Sequence, residues 1–239
     1  SEKLHTAKSI FDVTGLISLP KVGIVYSYSG VQPEAINALI SDDKVSVTED
    51  NLIIFEPTKE TKKGFIFYPG GKVEPEAYSV LARKIAEEGY LTVIVPMTFD
   101  LAIISPNKAD KVIERFPEIE SWGIGGHSLG GVMAAGYAAE NDVIDGLVLY
   151  ASYPQGEELK DLDINVLSIY GSNDGVADLE KVKNATLTKD SEIVEIEGGN
   201  HAGFGSYGDQ KGDKEAKISV EDQIEKAVEY TVEFLKKIN

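Results

Sequence analysis

Short apolar runs alternate with longer amphipathic segments along the chain from about Ser41 to its end. Eight runs have the length and the β-branched or aromatic content of strands: "KVSVTE", "NLIIFEP", "GFIFYP", "LTVIVPM", "SWGIGG", "GLVLYA", "NVLSIYG" and "SEIVEIEG". Five segments favour helices: "EPEAYSVLARKIAEEGY", "NKADKVIERF", "SLGGVMAAGYAAE", "GVADLEKVKN" and "SVEDQIEKAVEYTVEFLKKI". In the last segment Ile224, Val228, Val232 and Leu235 recur at helical spacing, with charged residues between them.

This alternation predicts an α/β fold in which a mostly parallel sheet is covered by helices on both faces. The first two runs adjoin through "EDN", which is a hairpin signal, so the sheet is expected to begin antiparallel and continue parallel. Ligands of such sheets gather at the carboxyl ends of the strands. The residues that follow each predicted strand are therefore the candidates for chemistry.

Composition narrows the classes of partner. The chain has 239 residues, of which 42% are apolar, which suffices for one large domain or two small ones. A net charge of −17 argues against nucleic acid and anionic lipid as partners. The absence of cysteine excludes disulfides and thiolate metal sites, and no run reaches the roughly 18 apolar residues of a membrane span.

The first forty residues fall outside the alternating pattern, and we treat 1–40 as an N-terminal extension of unknown role. Because residue 1 is Ser and not Met, one expectation is that a leader, an anchor or a tag has been removed. The compartment stays open: cytoplasmic, or extracytoplasmic after loss of an N-terminal segment. A homo-oligomer also stays open.

One serine stands where a predicted strand becomes a predicted helix, in "GGHSLGG". A tight strand-to-helix turn would present Ser128 away from its own backbone, and small neighbours such as Gly126 and Gly130 would permit that turn. The N–H of Leu129 would then lie at the positive end of the helix, where it could stabilise an oxyanion. The alternative is that Ser128 caps the helix in an ordinary glycine-rich turn.

A serine nucleophile needs a general base, and the chain has three histidines. His5 lies in the terminal segment, and the side chain of His127 is expected to point away on the sharp turn. His201 follows the last predicted strand, at the same edge of the sheet, and is therefore the predicted base.

The imidazole in turn needs an orienting carboxylate. Asp174, in the loop "SNDGVADLE" after the seventh run, is the predicted acid. The alternatives are that Asp174 is only a turn residue or helix cap, or that Asp178 takes the role, although Asp178 is expected to belong to the next helix. Nucleophile, acid and base then occur in the order Ser128, Asp174, His201, each after a strand.

With these residues in place, the sequence resembles the α/β-hydrolase superfamily, and more narrowly compact bacterial serine hydrolases of the carboxylesterase and dienelactone-hydrolase-like type. The resemblance covers roughly residues 45–239 and rests on "FYPGGKV", "GGHSLGG", "YGSNDGVA" and "GGNHAGFG". It implies an α/β-hydrolase domain over 41–239 with an eight-stranded sheet. Dienelactone hydrolases use a cysteine nucleophile, which this chain lacks, so ester hydrolysis is favoured over lactone chemistry.

The resemblance also implies a second oxyanion donor in "FYPGGKV". Proline stands here where the family usually has histidine, and Pro69 has no N–H to donate. The expected donor is the N–H of Gly71, or that of Lys72 if the turn shifts by one residue. A plain Gly-Gly turn is the alternative.

We expect a serine carboxylesterase that acts on small to medium esters and needs neither metal nor organic cofactor. The short segment between Tyr150 and Val166 predicts no large cap. Four residues near strand ends are candidates for an acyl pocket, or equally for ordinary core: Met97, Phe99, Tyr153 and Phe204. The glycine-rich segment Ala202–Lys217 is long enough to border or gate the site. A lipase, thioesterase, peptidase or non-catalytic binding protein would share much of this pattern.

Overall fold

The structure is a computed structural model that describes residues 30–97 and 108–238. His5, Phe99 and most of the predicted N-terminal extension lie outside the described residues. All eight predicted strands are present: β1 (Val45–Glu49), β2 (Ile53–Pro57), β3 (Lys63–Tyr68), β4 (Leu91–Ile94), β5 (Ser121–His127), β6 (Ile144–Tyr150), β7 (Asn165–Gly171) and β8 (Ser191–Ile196).

The five predicted helical segments are helical as well. The helices are α1 (Pro33–Asn37), α2 (Ser79–Glu87), α3 (Lys108–Arg115), α4 (Leu129–Glu140), α5 (Leu179–Lys183) and α6 (Val220–Lys237). Two short 3₁₀ turns, Pro75–Tyr78 and Ala202–Phe204, precede α2 and follow β8. The short α1 is the one helix that the apolar pattern did not predict in the described part of the chain.

The strands form one sheet in the order β1-β2-β4-β3-β5-β6-β7-β8. β1 and β2 pair antiparallel, as do β2 and β4, and every later pairing is parallel. The expectation that the sheet begins antiparallel and continues parallel is therefore confirmed. The carboxyl ends of β3, β5, β6, β7 and β8 consequently lie along one edge of the sheet.

Both faces of the sheet are buried at its central strands, from β3 and β4 to β7, and the period of two along each strand decides which side chain faces which layer. In β3, Phe65 and Phe67 belong to the core shared with α2 and α6, whereas Ile66 and Tyr68 belong to the core shared with α3 and α4. All four are fully buried. The sheet is thus a rigid platform for the loops at its carboxyl edge.

The segment between β6 and β7, residues 151–164, contains turns but no helix or strand, so no cap is inserted there, as predicted. Between residues 32 and 40 the chain packs on the domain: Ala35 is fully buried, and Arg83 donates to the carbonyl oxygens of Ala38 and Ile40 at 3.0 and 2.7 Å. The predicted domain boundary at residue 41 stays a prediction. Within 30–97 and 108–238, none of the helices has the length and apolar character to cross a membrane.

Candidate active site

Backbone strain is concentrated at the carboxyl edge of the sheet. Among the described residues, three that are not glycine have positive φ: Lys72 at 63°, Ser128 at 54° and Ala151 at 47°. They follow β3, β5 and β6, which are neighbours in the sheet. Such a conformation costs on the order of 1–3 kcal/mol per residue and persists only where the surroundings impose it, which is typical of functional sites.

Ser128 occupies the sharp strand-to-helix turn that the sequence predicts, with φ 54° and ψ −121°. Ser128 is the N-cap residue of α4, but its side chain makes no capping hydrogen bond. The alternative role as an ordinary helix cap is therefore wrong. Two hydrogen bonds to the Ser128 main chain hold the turn instead: the Ser128 N–H donates to the Tyr150 carbonyl oxygen at 2.9 Å, and the side-chain Oγ of Ser152 donates to the Ser128 carbonyl oxygen at 2.7 Å.

The glycines around Ser128 are required by close approach of backbone to backbone. A Cβ on Gly126 would overlap the carbonyl group of Gly130, and a Cβ on Gly130 would overlap the carbonyl oxygens of Tyr68 and Pro69. The absence of side chains thus lets β5, the start of α4 and the loop after β3 meet at one point.

The predicted base and acid are hydrogen bonded to each other. His201 Nδ1 donates to Asp174 Oδ2 at 2.8 Å, and both side chains are fully buried. The other carboxylate oxygen, Oδ1, accepts the N–H groups of Val176 and Ala177 at 2.7 and 2.8 Å. Asp178 instead caps α5 by accepting the Lys181 N–H, so the structure pairs His201 with Asp174 and not with Asp178.

The remaining imidazole nitrogen, His201 Nε2, is buried and has no hydrogen-bond partner among the described residues. A buried polar atom without a partner costs about 1–3 kcal/mol, and such an atom calls for a functional explanation. Catalytic hydrogen bonds are often long before substrate binds. Nothing in the described structure joins Ser128 Oγ to Nε2 by a hydrogen bond, and the triad therefore stays a prediction.

His127 has a structural part that sequence reasoning did not foresee. Its side chain is 1% exposed, its ring lies 4.6 Å from the ring of His201 between centroids, and its Nε2 lies 3.0 Å from the His201 carbonyl oxygen. Because a carbonyl oxygen only accepts, Nε2 must carry the proton. The residue before the predicted nucleophile thus donates directly to the backbone of the predicted base.

The same tautomer explains the other side of the His127 ring. Nδ1 then accepts a hydrogen bond from the Tyr78 hydroxyl at 2.7 Å, while the Tyr78 oxygen accepts one from the Gly70 N–H at 3.0 Å. Burial, and next the charge of His201, hold the pKa of His127 well below its usual range, so the ring is neutral. This series of hydrogen bonds, through Tyr78 and His127, links the loop after β3 to the backbone of the predicted base. No local pattern in the sequence indicates these contacts.

A cleft lies between the loop after β3 and the start of α4; Leu129, the residue after Ser128, lines it, whereas Ser128 and His201 are not among its lining residues. Its lining combines main chain from the loop after β3 and the start of α4 with two thioether side chains: Pro69, Gly70, Gly71, Met97, Leu129, Gly130 and Met133. The N–H groups of Gly71 and Leu129 donate to no acceptor in the described part of the chain. Lys72 does not line the cleft, which favours Gly71 as the second oxyanion donor.

Of the candidate pocket residues that the structure describes, one lines the cleft and two do not. Met97 lines the cleft, together with Met133, which lies one helical turn after Leu129 and which sequence reasoning missed. Tyr153 packs in a separate cluster, and Phe204 is fully buried against the rings of His127 and Tyr150; neither lines the cleft. Phe99 lies outside the described residues. Within the described ranges, no group of three or more His, Asp or Glu side chains is arranged to hold a metal ion.

Comparisons with known proteins agree with this architecture. The sequence model of the Alpha/beta hydrolase family matches residues 64–225, about two thirds of the chain. A search of curated proteins found no relative whose sequence matches. Two similar solved structures illustrate the fold. The esterase domain of a Rhodothermus marinus protein is 12% identical with a TM-score of 0.61, and the alignment covers 82% of this chain and 98% of that domain.

The second is a predicted CIB-like hydrolase from Thermoplasma acidophilum, 14% identical with a TM-score of 0.58, where the alignment covers 79% of this chain and 99% of that protein. At these identities the likeness concerns the fold. The family match includes the residues after β3, the Ser128 turn, Asp174 and His201.

Proposed function

Because this chain belongs to the α/β-hydrolase family, we propose that it is a serine carboxylesterase, which cleaves small to medium esters through an acyl-enzyme intermediate. The observation that carries the proposal is the buried Asp174–His201 pair, in which the imidazole Nε2 has no hydrogen-bond partner among the described residues. His127, the residue before Ser128, donates to the carbonyl oxygen of the same histidine. An imidazole with one nitrogen held by a carboxylate and the other unpartnered is suited to act as a general base.

In the proposed reaction, Ser128 Oγ attacks the ester carbonyl carbon while His201 Nε2 takes its proton. The Asp174 carboxylate holds the tautomer and stabilises the imidazolium that forms. The N–H groups of Gly71 and Leu129 donate to the developing oxyanion. His201 then gives the proton to the departing alcohol, and a water molecule activated by the same base releases the acid from Ser128.

The lining of the cleft and the lack of a cap between β6 and β7 support small acyl groups. Two thioether side chains, Met97 and Met133, provide apolar contact, and the rest of the lining is main chain and small side chains. No cap is inserted between β6 and β7 to enclose a long chain. One of the similar structures is an esterase domain, which agrees with the proposal, although that likeness concerns the fold and the proposal rests on the site.

A panel of p-nitrophenyl esters of increasing acyl length tests the proposal. The wild type should hydrolyse short esters and lose activity on long-chain emulsions, and Ser128→Ala should lower kcat by about 10⁴–10⁶. Ser191→Ala, at an exposed serine of β8, is the matched control and should behave as wild type. A fluorophosphonate probe should label Ser128.

Near-wild-type turnover by Ser128→Ala would rule out the proposed nucleophile. A wild type that neither hydrolyses esters nor takes the label would point to a non-catalytic binding protein. Preference for long-chain emulsions, for thioesters or for peptides would replace the carboxylesterase with a lipase, thioesterase or peptidase that uses the same residues.

A further inference from the structure

One carboxylate outside the predicted triad touches both loops that carry its acid and base. Asp213 Oδ1 accepts the Gly175 N–H at 2.9 Å, and Oδ2 accepts the Ala202 N–H at 2.8 Å. Gly175 follows Asp174 directly in the chain, and Ala202 follows His201. Apart from Asp174 itself, no other described side chain accepts hydrogen bonds from both loops. We call these two bonds the Asp213 bridge.

We propose that Asp213 is a positioning residue, which fixes the separation and orientation of Asp174 and His201 through the peptide groups that follow them. The proposal rests on the proposed function, because it assigns Asp213 to the same active site. Asp174 joins the two loops by a bond between side chains, its carboxylate with the His201 imidazole. Asp213 joins the same loops through their main chain, at the N–H groups that follow Asp174 and His201.

The approach of the Asp213 segment to the acid loop is close enough to require a glycine. A Cβ on Gly175 would lie 2.7 Å from the Lys214 nitrogen and 2.9 Å from the Gly212 carbonyl oxygen, distances that real Cβ atoms do not show. The φ of Gly175 is not in the left-handed region, so contact and not conformation demands glycine there. The sequence feature "DG" after β7 is thus explained by the Asp213 segment.

The rest of the segment is tied down as well. Asn173 Nδ2 donates to the Glu215 carbonyl oxygen at 2.9 Å, and Asn200 Nδ2 donates to the Lys214 carbonyl oxygen at 2.8 Å. The Lys217 N–H donates to the Gly198 carbonyl oxygen at 2.7 Å. The second half of the predicted loop Ala202–Lys217 therefore braces the acid and base loops, an arrangement that does not suit a gate over the site.

The hydrogen bonds of the Asp213 bridge are of a kind that can hold the acid and base loops in place. A carboxylate that accepts main-chain N–H groups makes charge-assisted hydrogen bonds, which are roughly twice as strong as neutral ones. Misplacement of a catalytic group by about 1 Å can cost on the order of 10² in rate. Removing one arm of the bridge should therefore change turnover far more than substrate binding.

The test compares Asp213→Asn with Asp209→Asn. Asp209 lies in the same segment, is exposed, and makes no hydrogen bond or ion pair with any residue that the structure describes, so both variants remove the same charge. An asparagine at 213 keeps one acceptor oxygen and turns an NH₂ group toward one of the two main-chain N–H groups, which breaks one arm. Asp213→Ala removes both arms.

For Asp213→Asn we expect kcat to fall by about 10- to 100-fold, with KM little changed and fluorophosphonate labelling of Ser128 slowed by the same factor. Asp209→Asn should match the wild type in all three. Amide hydrogen exchange gives a readout that does not depend on activity: Gly175 or Ala202 should lose protection in Asp213→Asn, and both should lose it in Asp213→Ala.

Equal turnover and labelling in Asp213→Asn and Asp209→Asn would overturn the positioning role, as would unchanged protection of both amides in Asp213→Asn. If Asp213→Ala does not fold, the asparagine variant alone decides. If the wild type neither hydrolyses esters nor labels, the proposed function fails, and the exchange experiment still decides whether the Asp213 bridge exists.

Discussion

The turn that carries Ser128 and the loops that carry Asp174 and His201 lie along the same edge of the sheet, yet different interactions hold them. The turn is held by steric contact and by hydrogen bonds to the Ser128 main chain, and the Ser128 side chain makes no capping bond. The loops are held by carboxylates: Asp174 accepts three hydrogen bonds, from Val176, Ala177 and His201.

This difference predicts how each side fails. The turn with the proposed nucleophile Ser128, here the nucleophile side, should be sensitive to added volume, because no space exists for a Cβ where strand, helix and loop meet. The loops with the proposed acid and base, here the acid–base side, should be sensitive to the loss of acceptor atoms, because the positions of their N–H groups are fixed by carboxylate oxygens. His127 connects the two sides, since it precedes Ser128 and donates to the His201 carbonyl oxygen.

After Ser128→Ala itself, the largest effect is expected on the acid–base side, from Asp174→Asn. The amide oxygen would keep the Val176 and Ala177 N–H groups, and the NH₂ group would face His201 Nδ1 and force the proton onto Nε2. An imidazole in that tautomer cannot take the serine proton, and kcat should fall by about 10⁴ at neutral pH.

Asp178→Asn is the matched control for that change. It removes the same charge from the same loop, and asparagine caps a helix as well as aspartate does, so ester hydrolysis should stay at the wild-type rate. If steady-state kinetics showed Asp178→Asn to be the more damaging variant, the pairing of acid and base would have to be reassigned.

The next largest effect is expected on the nucleophile side, from Gly130→Ala. The new methyl group would overlap the carbonyl oxygens of Tyr68 and Pro69 and push α4 away from the loop after β3. Turnover of short esters should drop on the order of 10², because the oxyanion donors and Ser128 would separate. Urea unfolding should also reveal a less stable protein.

Gly136→Ala, in the same helix, is the matched control for Gly130→Ala. A Cβ on Gly136 meets nothing within 4 Å. Alanine in a helix interior is worth about 0.5–1 kcal/mol more than glycine, so this variant should be slightly more stable and equally active. Equal behaviour of the two glycine variants would contradict the steric account of the turn.

The smallest predicted effect concerns His127, the link between the two sides. Its pKa is lowered in the folded protein, so the folded chain leaves it neutral while the unfolded chain takes up a proton as pH falls below about 6.5. The unfolded state then binds more protons, and stability contributed by His127 is present above that pH and lost below it, by up to about 1.4 kcal/mol per pH unit.

Urea unfolding at pH 7 and at pH 5.5 measures this loss. His127→Gln removes the titrating group and keeps a donor for the His201 carbonyl oxygen, so its free energy of unfolding should fall less over that interval than that of the wild type. Other groups titrate in both proteins and cancel in the difference. An identical pH dependence in the two proteins would show that His127 is not the buried neutral group described here.

Patterns among residues close together in the sequence predicted the strands, the helices and the turn at Ser128. The strands and helices followed from apolar spacing, because a sheet buried on both faces needs continuous apolar strands such as "GFIFYP", and α6 needs apolar residues on one face only. The glycines around Ser128 were informative because close approach of backbone to backbone requires glycine, and the glycines concerned lie within five residues of sequence.

Contacts between distant residues were not predictable in this way. Met133 reaches the cleft because the start of α4 meets the loop after β3, and Tyr78 reaches His127 from 49 positions earlier in the chain. The Asp213 bridge forms because the segment that carries Asp213 packs against both the loop after β7 and the loop after β8. A short polar stretch such as "GDQKGDKE" looks the same whether it is solvated or bound.

The order of the elements, the turn at Ser128 and the candidate nucleophile, acid and base could all be predicted from the sequence, since each candidate follows a recognisable strand within a few residues. The carboxylate that pairs with His201, the burial of His127 against that residue and the contacts of Asp213 with both loops emerge from the folded structure alone. A hydrogen bond depends on positions in space to within a few tenths of an ångström, and the packing of the whole sheet sets those positions.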